Sequence, residues 1–470
     1  MSDSAQQPVI YQARIPIFPR SVKGKFRTLK WGVLIVAYGV YFLLPWLRWE
    51  RVAAADQAVL FDIQARRFYL FDLVVHPQEI FWLAGFLVVA ALLLFFVTGI
   101  AGRVFCGYFC FQTLWTDVYM LIERLVQGER PARIRLYKAP WSVPKAAKLG
   151  LTHVLWLLVA FATGLTFTLY WGNAPELARA IFTGNAPFPA YATTLFLTLT
   201  TYVMAGLARE QVCTYMCPYA RFQSAMFDRD TLIVAYDRER GEGSRGRAKL
   251  AKGLKTREER QAKGVGDCID CGYCVQVCPT GIDIRNGLQY QCISCALCID
   301  ACNTIMDSVG YPRGLVRYDS ERRREEGRTR VFKPKTFGYG AILLGAAVAL
   351  AWSILSTGDL DVAAIQVRQP LFVVMSDGRI QNSYEIKLNN LTDAPMRIDI
   401  GVENLPGAEL DLGQLERLVL APEQRLRVRA RIRLPAQPGE SQIPFEFVIT
   451  TPDDPASPPL REEAYFSMPR

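Results

Sequence analysis

Uncharged stretches alternate with densely charged connections over the first three quarters of this chain, and a two-residue alternation replaces them at the end. Five uncharged runs are close to or above the roughly 20 residues that an α-helix needs to cross about 30 Å of hydrocarbon. They cover residues 31–47, 80–102, 149–171, 190–208 and 336–358. The first is short and contains Pro45, so by pattern it is the weakest span; the third carries His153. Beyond the fifth run, YEIKL, MRIDIGV, RLRVRARIRL and PFEFVIT alternate apolar with polar positions and are separated by the turn-forming LPGAE and LPAQPGE. Period-two strands of this kind predict an antiparallel sandwich of about 110 residues, immunoglobulin-like in plan.

Composition agrees with the pattern: 51% of the residues are hydrophobic, too many for an ordinary soluble globule. The formal charge of +10 is concentrated in particular connections. Arg14, Arg20, Lys23, Lys25, Arg27 and Lys30 precede the first span; Arg124, Arg130, Arg133, Arg135, Lys138, Lys145 and Lys148 lie between the second and third; residues 209–335 are again basic. The connection 48–79 is richer in acids than bases, and 172–189 has Arg179 as its one base. The bias of Lys and Arg toward the cytoplasmic side then places the tail 1–30 and the region 209–335 inside, and residues 359–470 in the periplasm. A charge excess arranged this way points to a membrane with one basic side and not to nucleic acid. A cleaved leader is the competing explanation for the first run, with VAAADQA as its processing site; the long charged segment ahead of the run and the parity of the spans argue against it.

The twelve cysteines form four groups, all at ends predicted to be cytoplasmic, which makes disulfide stapling the wrong explanation. CIDCGYCVQVCP supplies Cys268, Cys271, Cys274 and Cys278, and CISCALCIDAC supplies Cys292, Cys295, Cys298 and Cys302. Both have C-x2-C-x2-C-x3-C spacing, in which three thiolates of one run and the last of the other hold a cluster. The expected cofactors are two [4Fe-4S] clusters: one on Cys268, Cys271, Cys274 and Cys302, the other on Cys292, Cys295, Cys298 and Cys278. Zinc is the lesser alternative. The first run is followed by Pro279, the second by Asn303.

The other two groups are CGYFC, with Cys106 and Cys110 just past the second span, and CTYMC, with Cys213 and Cys217 just past the fourth. On a continuous helix, residues four apart share a face, so each pair is expected to present two sulfurs to one ion. Two small buried hydrophobes would explain either pair alone; two copies at equivalent ends, beside an iron–sulfur module, favour a metal site. Thiolate donors select Cu(I) and make reduction of Cu(II) easier, so copper is the expected ion, with Met216 a further candidate ligand.

The architecture expected is therefore a multi-domain membrane protein: an α-helical five-span transmembrane bundle, with a four-span core over 31–208 and a fifth helix over 336–358, an inserted α+β dicluster ferredoxin-like module at about 262–306 within 209–335, and a C-terminal all-β immunoglobulin-like sandwich. GEGSRG matches a dinucleotide fingerprint, but the tract after it is too charged for a buried crossover helix and reads as a solvated linker or a surface against anionic lipid. His76 and His153, the two histidines of the chain, read as structural.

VCTYMCPYARFQSAMFDRDTLIVAYD, GDCIDCGYCVQVCPTGIDIRNGLQYQCISCALCIDAC and NLPGAEL resemble the bacterial cytochrome oxidase accessory proteins called CcoG or FixG, which are membrane polyferredoxins. The resemblance implies a cupric reductase that draws electrons through two [4Fe-4S] clusters and delivers Cu(I) to the copper centre of a cbb-type cytochrome c oxidase. It implies an oxidase assembly machinery as partner and an unidentified cytoplasmic electron donor, and leaves self-association as a homodimer open. The family's CxxxCP motifs fall on Cys106 with Cys110 and on Cys213 with Cys217 and Pro218. Phe111 stands where the family has proline, and without proline the helix is expected to run on past Cys110. Quinone-linked electron transfer and a non-catalytic copper-carrying assembly factor are the rival functions.

Overall fold

A computed structural model describes residues 16–469 except 53, 331–332, 414–417, 437–440 and 454–457. Arg14 and the second half of the LPAQPGE turn lie outside the described residues. The chain forms two compact units. One is built from the residues up to Leu47, Val59–Arg66 and Pro77–Leu350; the other from Arg48–Ala58, Arg67–His76 and Ala351–Arg470.

Among the described residues, five helices are long and apolar enough to cross a membrane: Lys25–Trp46, Pro77–Ala101, Val143–Leu169, Phe188–Ala208 and Pro334–Leu355. The chain is a multi-pass membrane protein. The first helix starts six residues before the uncharged run, and Pro45 falls in a terminal 3-10 turn, Leu44–Trp46, so it does not shorten the span. Large apolar side chains such as Leu87, Val88, Leu344 and Trp352 are exposed on these helices, as suits contact with lipid tails. With lipid as solvent, small residues decide which helices touch. A Cβ on Gly164 would lie 2.5 Å from the Thr194 carbonyl, and Thr168 and Thr194 share a hydrogen bond of 2.8 Å, so the third and fourth spans meet closely. Gly85 admits Leu350, bringing the second span to the fifth.

Ends of the first, second and fifth spans gather around the cysteine-rich region. The Arg27 amide donates to Asp300 Oδ2 (2.8 Å), the Leu232 amide to the Ile100 carbonyl (2.9 Å), the Arg20 amide to the Gln276 carbonyl (2.7 Å), and Ser21 Oγ to Glu129 (2.8 Å). Lys333, just before the fifth span, pairs with Asp228. The connection 103–148, a basic loop by sequence, is mostly helical: Phe111–Gln127 and Arg130–Lys138. Its Asp117 forms an ion pair with Lys30 at 3.0 Å, both side chains being almost fully buried, so Lys30 is a packed counter-ion and not a base in solvent.

The cysteine-rich module reaches beyond residues 262–306 on both sides. Ile233–Tyr236 pairs antiparallel with Val316–Asp319, closing it with a two-stranded sheet. GEGSRG ends a five-residue helix, Arg238–Glu242, and the next helix after it is the six-residue Arg257–Ala262. The tract after it departs from a solvated linker. Arg260 is fully buried and donates to the carbonyls of Gly266, Ala248 and Cys268, while Arg240 and Arg257 both pair with Asp267. Folded this way, the tract braces the loop that enters Cys268.

In the second unit the alternation becomes two antiparallel sheets. One runs Glu409–Asp411, Arg425–Pro435, Arg379–Asn390, Leu360–Gln366; the other Leu418–Leu420, Met396–Glu403, Gln442–Thr450, Leu460–Ser467. Val428, Ala430, Ile432 and Leu434 point into a core with Tyr384, Phe445 and Phe447, and the arginines between them point out. The hairpin formed by Arg67–Leu70 and Leu73–Val75 docks here: Arg67 and Tyr69 both reach the Glu423 carboxylate. Residues Arg48–Ala58 and Arg67–His76 of the connection thus belong to the same compact unit as the sandwich.

Candidate functional site

The two ferredoxin-type runs fold as copies of one loop. Asp270 and Ser294, between the first and second cysteines, have φ of 49° and 52°; Gly272 and Ala296, between the second and third, have φ of 66° and 59°. These left-handed residues curl each chain so that three thiols face inward, and Ala296 holds a conformation that ordinarily favours glycine. Each loop then opens a short helix, Tyr273–Gln276 or Leu297–Ser308, and the second helix carries Cys298 and Cys302.

The result is two cages. One cavity is lined by Cys268, Cys271, Cys274 and Cys302, with Tyr236, Ile305, Met306, Leu315 and Val316 among its walls. The other is lined by Cys278, Cys292, Cys295 and Cys298, with Cys274 also on its edge. The grouping by space is the crossed grouping expected from spacing, and each cavity offers four soft donors in an apolar wall, a fit for an iron–sulfur cube. Burial pushes Cys274, Cys292 and Cys302 up to about 12, so these thiols are neutral until a metal displaces the proton. Cys271 is the exposed member of the first cage.

The CxxxC pairs depart from expectation in one respect. Neither occupies a single helix. Cys106 sits in the one-turn helix Val104–Tyr108, and Cys110 has extended backbone (φ −63°, ψ 126°) at the start of Phe111–Gln127. Cys213 sits in the π-helical turn Val212–Met216, and Cys217 is extended (φ −80°, ψ 110°) at the start of Pro218–Ala225. In both, the amide of the second cysteine donates five residues back, Cys110 to the Phe105 carbonyl (3.0 Å) and Cys217 to that of Val212 (2.8 Å). This wider closure rotates the second thiol off the stripe that an α-helix would provide. The helix therefore does not run on past Cys110: Phe111 takes the first helical position just as Pro218 does.

All four thiols are close enough for their charges to interact, Cys213 with Cys110, Cys106 and Cys217. Burial pushes Cys106 up to about 11 and Cys213 up to about 12, and the charge of Arg103 opposes both shifts. Cys106 donates to Gln223 Oε1 (3.2 Å), and Gln223 in turn donates to Thr98 of the second span (3.1 Å). Among the described residues no three His, Cys, Asp or Glu side chains converge as ligands of a single ion. Met216 is 60% exposed beside Cys217.

The quartet adjoins the second cage directly. A Cβ on Gly107 would lie 2.7 Å from the Ile293 carbonyl oxygen and 2.9 Å from Cys295 Cα, so only glycine lets CGYFC press against CISC. Tyr108 donates to the Cys295 carbonyl at 3.1 Å, and Cys106 packs in one cluster with Ile293, Cys295 and Cys298. Asp300, between the last two cysteines, accepts from the amide of Arg27 and thereby caps the first span. Gly107, Arg103, Gln223, Arg260 and Asp300 are contributors that sequence reasoning missed; only the small residue inside CGYFC carried a visible signal. His153 shares a hydrogen bond of 2.9 Å with Tyr202 and packs on Trp156. His76 is buried in the other unit, away from the cysteines.

Comparison with known proteins agrees with this geometry. A family profile described as a 4Fe-4S dicluster domain matches residues 208–321, and one described as the IG-like fold at the C-terminal of FixG matches residues 350–469. Protein RdxB of Cereibacter sphaeroides is 45% identical over 83% of this chain and 82% of its own length. Protein RdxA of the same organism is 43% identical over 85% and 84%. The nitrogen fixation protein FixG of Rhizobium meliloti is 39% identical over 85% and 82%. The chain belongs to the FixG/RdxA family, and is a membrane iron–sulfur electron-transfer oxidoreductase.

Proposed function

We propose that the chain is a cupric reductase. A cytoplasmic donor delivers electrons at the first cage, where Cys271 is exposed; they cross to the second cage, and Cu(II) bound by Cys106, Cys110, Cys213 and Cys217 leaves as Cu(I) for the copper centre of a cbb-type cytochrome c oxidase. In this reading the eight remaining cysteines hold [4Fe-4S] clusters in their crossed sets. When bound, the clusters supply one-electron carriers. Each copper reduced takes one electron, so a protein with both clusters reduced converts two Cu(II).

One observation carries the reading: the backbone contact of Gly107 with Ile293 and Cys295, which leaves no intervening layer between the thiol quartet and the second cage. The chain's own work is positional. Buried thiol sulfurs provide donors that prefer Cu(I), Gln223 orients Cys106, and Met216 stands exposed at the outer side of CTYMC to receive the ion. The bias of Lys and Arg in the flanks supports a cytoplasmic N-terminus and cages, with the sandwich in the periplasm of an inner membrane.

The test is anaerobic. Detergent-purified protein with reduced clusters receives Cu(II), and cluster reoxidation is followed by absorbance and EPR while a chelator reports Cu(I). The variant with all four CxxxC cysteines changed to serine is run beside it. Cu(I) formation that matches the electrons lost, and slows at least tenfold in the variant, supports the reductase. Equal rates mean that copper merely oxidises accessible clusters, and a quinone-linked or copper-carrying role replaces it.

A further inference from the structure

Arg103 is out of place as a structural arginine. It follows the second span directly, is 2% exposed, and among the described residues no Asp or Glu pairs with it. Its Nη1 donates to the Tyr290 carbonyl, and its Nε has no partner. A buried guanidinium with no carboxylate partner is costly unless negative charge arrives from elsewhere. Two sources of such charge surround it. On one side, three residues along the chain from Cys106, its charge acts on Cys106, Cys110 and Cys213. On the other its charge acts on Cys292 of the second cage. Backbone geometry holds it there: the Gly107 amide donates to the Arg103 carbonyl at 3.2 Å, and Gly107 is the residue wedged against Ile293 and Cys295.

We propose that Arg103 is the shared counter-cation of the thiol quartet and the second cage, a positioning residue that draws the electron to the cage next to the quartet. The inference rests on reading the eight ferredoxin-type cysteines as cluster ligands. A cluster gains one negative charge on reduction, and a fixed cation in a low-dielectric site stabilises that charge, so the nearer cluster is reduced at a higher potential. Lys30 also acts on the second cage through Cys295, but Asp117 neutralises it at 3.0 Å. Arg103 has no such offset among the described residues, whereas the cation acting on Cys274 of the first cage, Arg285, is paired with Asp270 and Asp283. The two clusters are thereby made unequal, with the lower step at the solvent-facing cage.

Arg103→Gln and Arg103→Lys test this. Each full-length protein is purified anaerobically, its iron and sulfide are counted, and both clusters are titrated by EPR at set potentials; a Cys271→Ser background identifies the first cluster's signal. In Arg103→Gln the second cluster should be about tenfold less reduced at a given potential, a shift of about 59 mV for a one-electron couple. The first cluster should hold its potential, and Arg103→Lys should restore the second. Iron lost from the second cage in the Gln variant and regained in the Lys variant supports the same role. Equal shifts in both clusters, no shift with iron retained, or identical defects in Gln and Lys variants overturn it. Wild-type protein lacking cluster iron would defeat the ligand assignment itself, a separate failure.

Discussion

CGYFC and CTYMC are built alike and situated differently. Each is a one-turn helix that closes five residues back and releases its second cysteine into extended backbone ahead of a new helix. The first is clamped: Gly107 against Ile293, Tyr108 on the Cys295 carbonyl, Thr113 donating to the Cys106 carbonyl at 2.6 Å. The second is open, with Tyr215 and Met216 both more than half exposed. Equal local geometry with unequal surroundings divides the labour. Under the proposed function, the clamped copy would take the electron from the adjoining cage and the open copy would receive arriving ions.

The sharpest way to break the comparison is to enlarge the residue after the first cysteine in each motif. Gly107→Val drives a side chain into backbone atoms that cannot yield, so we expect loss of iron from the second cage and at least a tenfold fall in Cu(I) formation. Thr214→Val at the matching position of CTYMC should change neither by more than about twofold, since surface-type substitutions stay within about 0.5 kcal/mol. Iron analysis and the anaerobic copper assay read both. A comparable loss in the two variants would end the division of labour.

A second test asks what the motifs share. Burial holds Cys106 near 11 and Cys213 near 12, one thiol from each motif, so both are protonated at pH 7. Binding as thiolate releases a proton from each, and affinity must therefore rise with pH, by about tenfold per unit for every proton released, until the pKa is passed. Cu(I) competition between pH 6 and 8 should give that slope in wild type and a shallower one in Cys106→Ser and in Cys213→Ser. A flat profile would show that these thiols do not bind as thiolates.

The smallest effect is expected where the motifs differ in sequence. Phe111→Pro places proline at a first helical position after a residue already extended, where it is tolerated and restricts the unfolded chain. Stability should stay equal or rise by about 0.4–1 kcal/mol in thermal unfolding, with copper reduction unchanged. A substantial loss of either would mean that the Phe111 ring has a role its exposure does not disclose.

Much of this was legible in the sequence because a single physical constraint repeats along it. Lipid demands uninterrupted apolar runs, a half-buried sheet demands alternation as in Arg425–Pro435, and a cube demands C-x2-C-x2-C-x3-C. The crossed cysteine sets followed from that spacing alone. What stayed hidden depends on partners far away in the chain. The break before Phe111 was misread because an i, i+4 rule was applied to a segment whose ends are set by packing on Ile293. Arg260 and Arg257 looked like solvated charge because Gly266, Cys268 and Asp267 come together with them only once the loop has folded.

The cap that Asp300 places on Arg27 has a consequence for biosynthesis. The two residues are 273 positions apart. During translation the first span enters the bilayer long before its cap exists, and the Arg27 amide keeps water as its partner until the second cysteine run emerges. Completion of that membrane helix is thus reserved for chains whose metal-binding segment has been made and folded. A molecule truncated before residue 300 would carry an unfinished helix start at the membrane surface, a mark by which proteolytic surveillance could distinguish it from the mature protein.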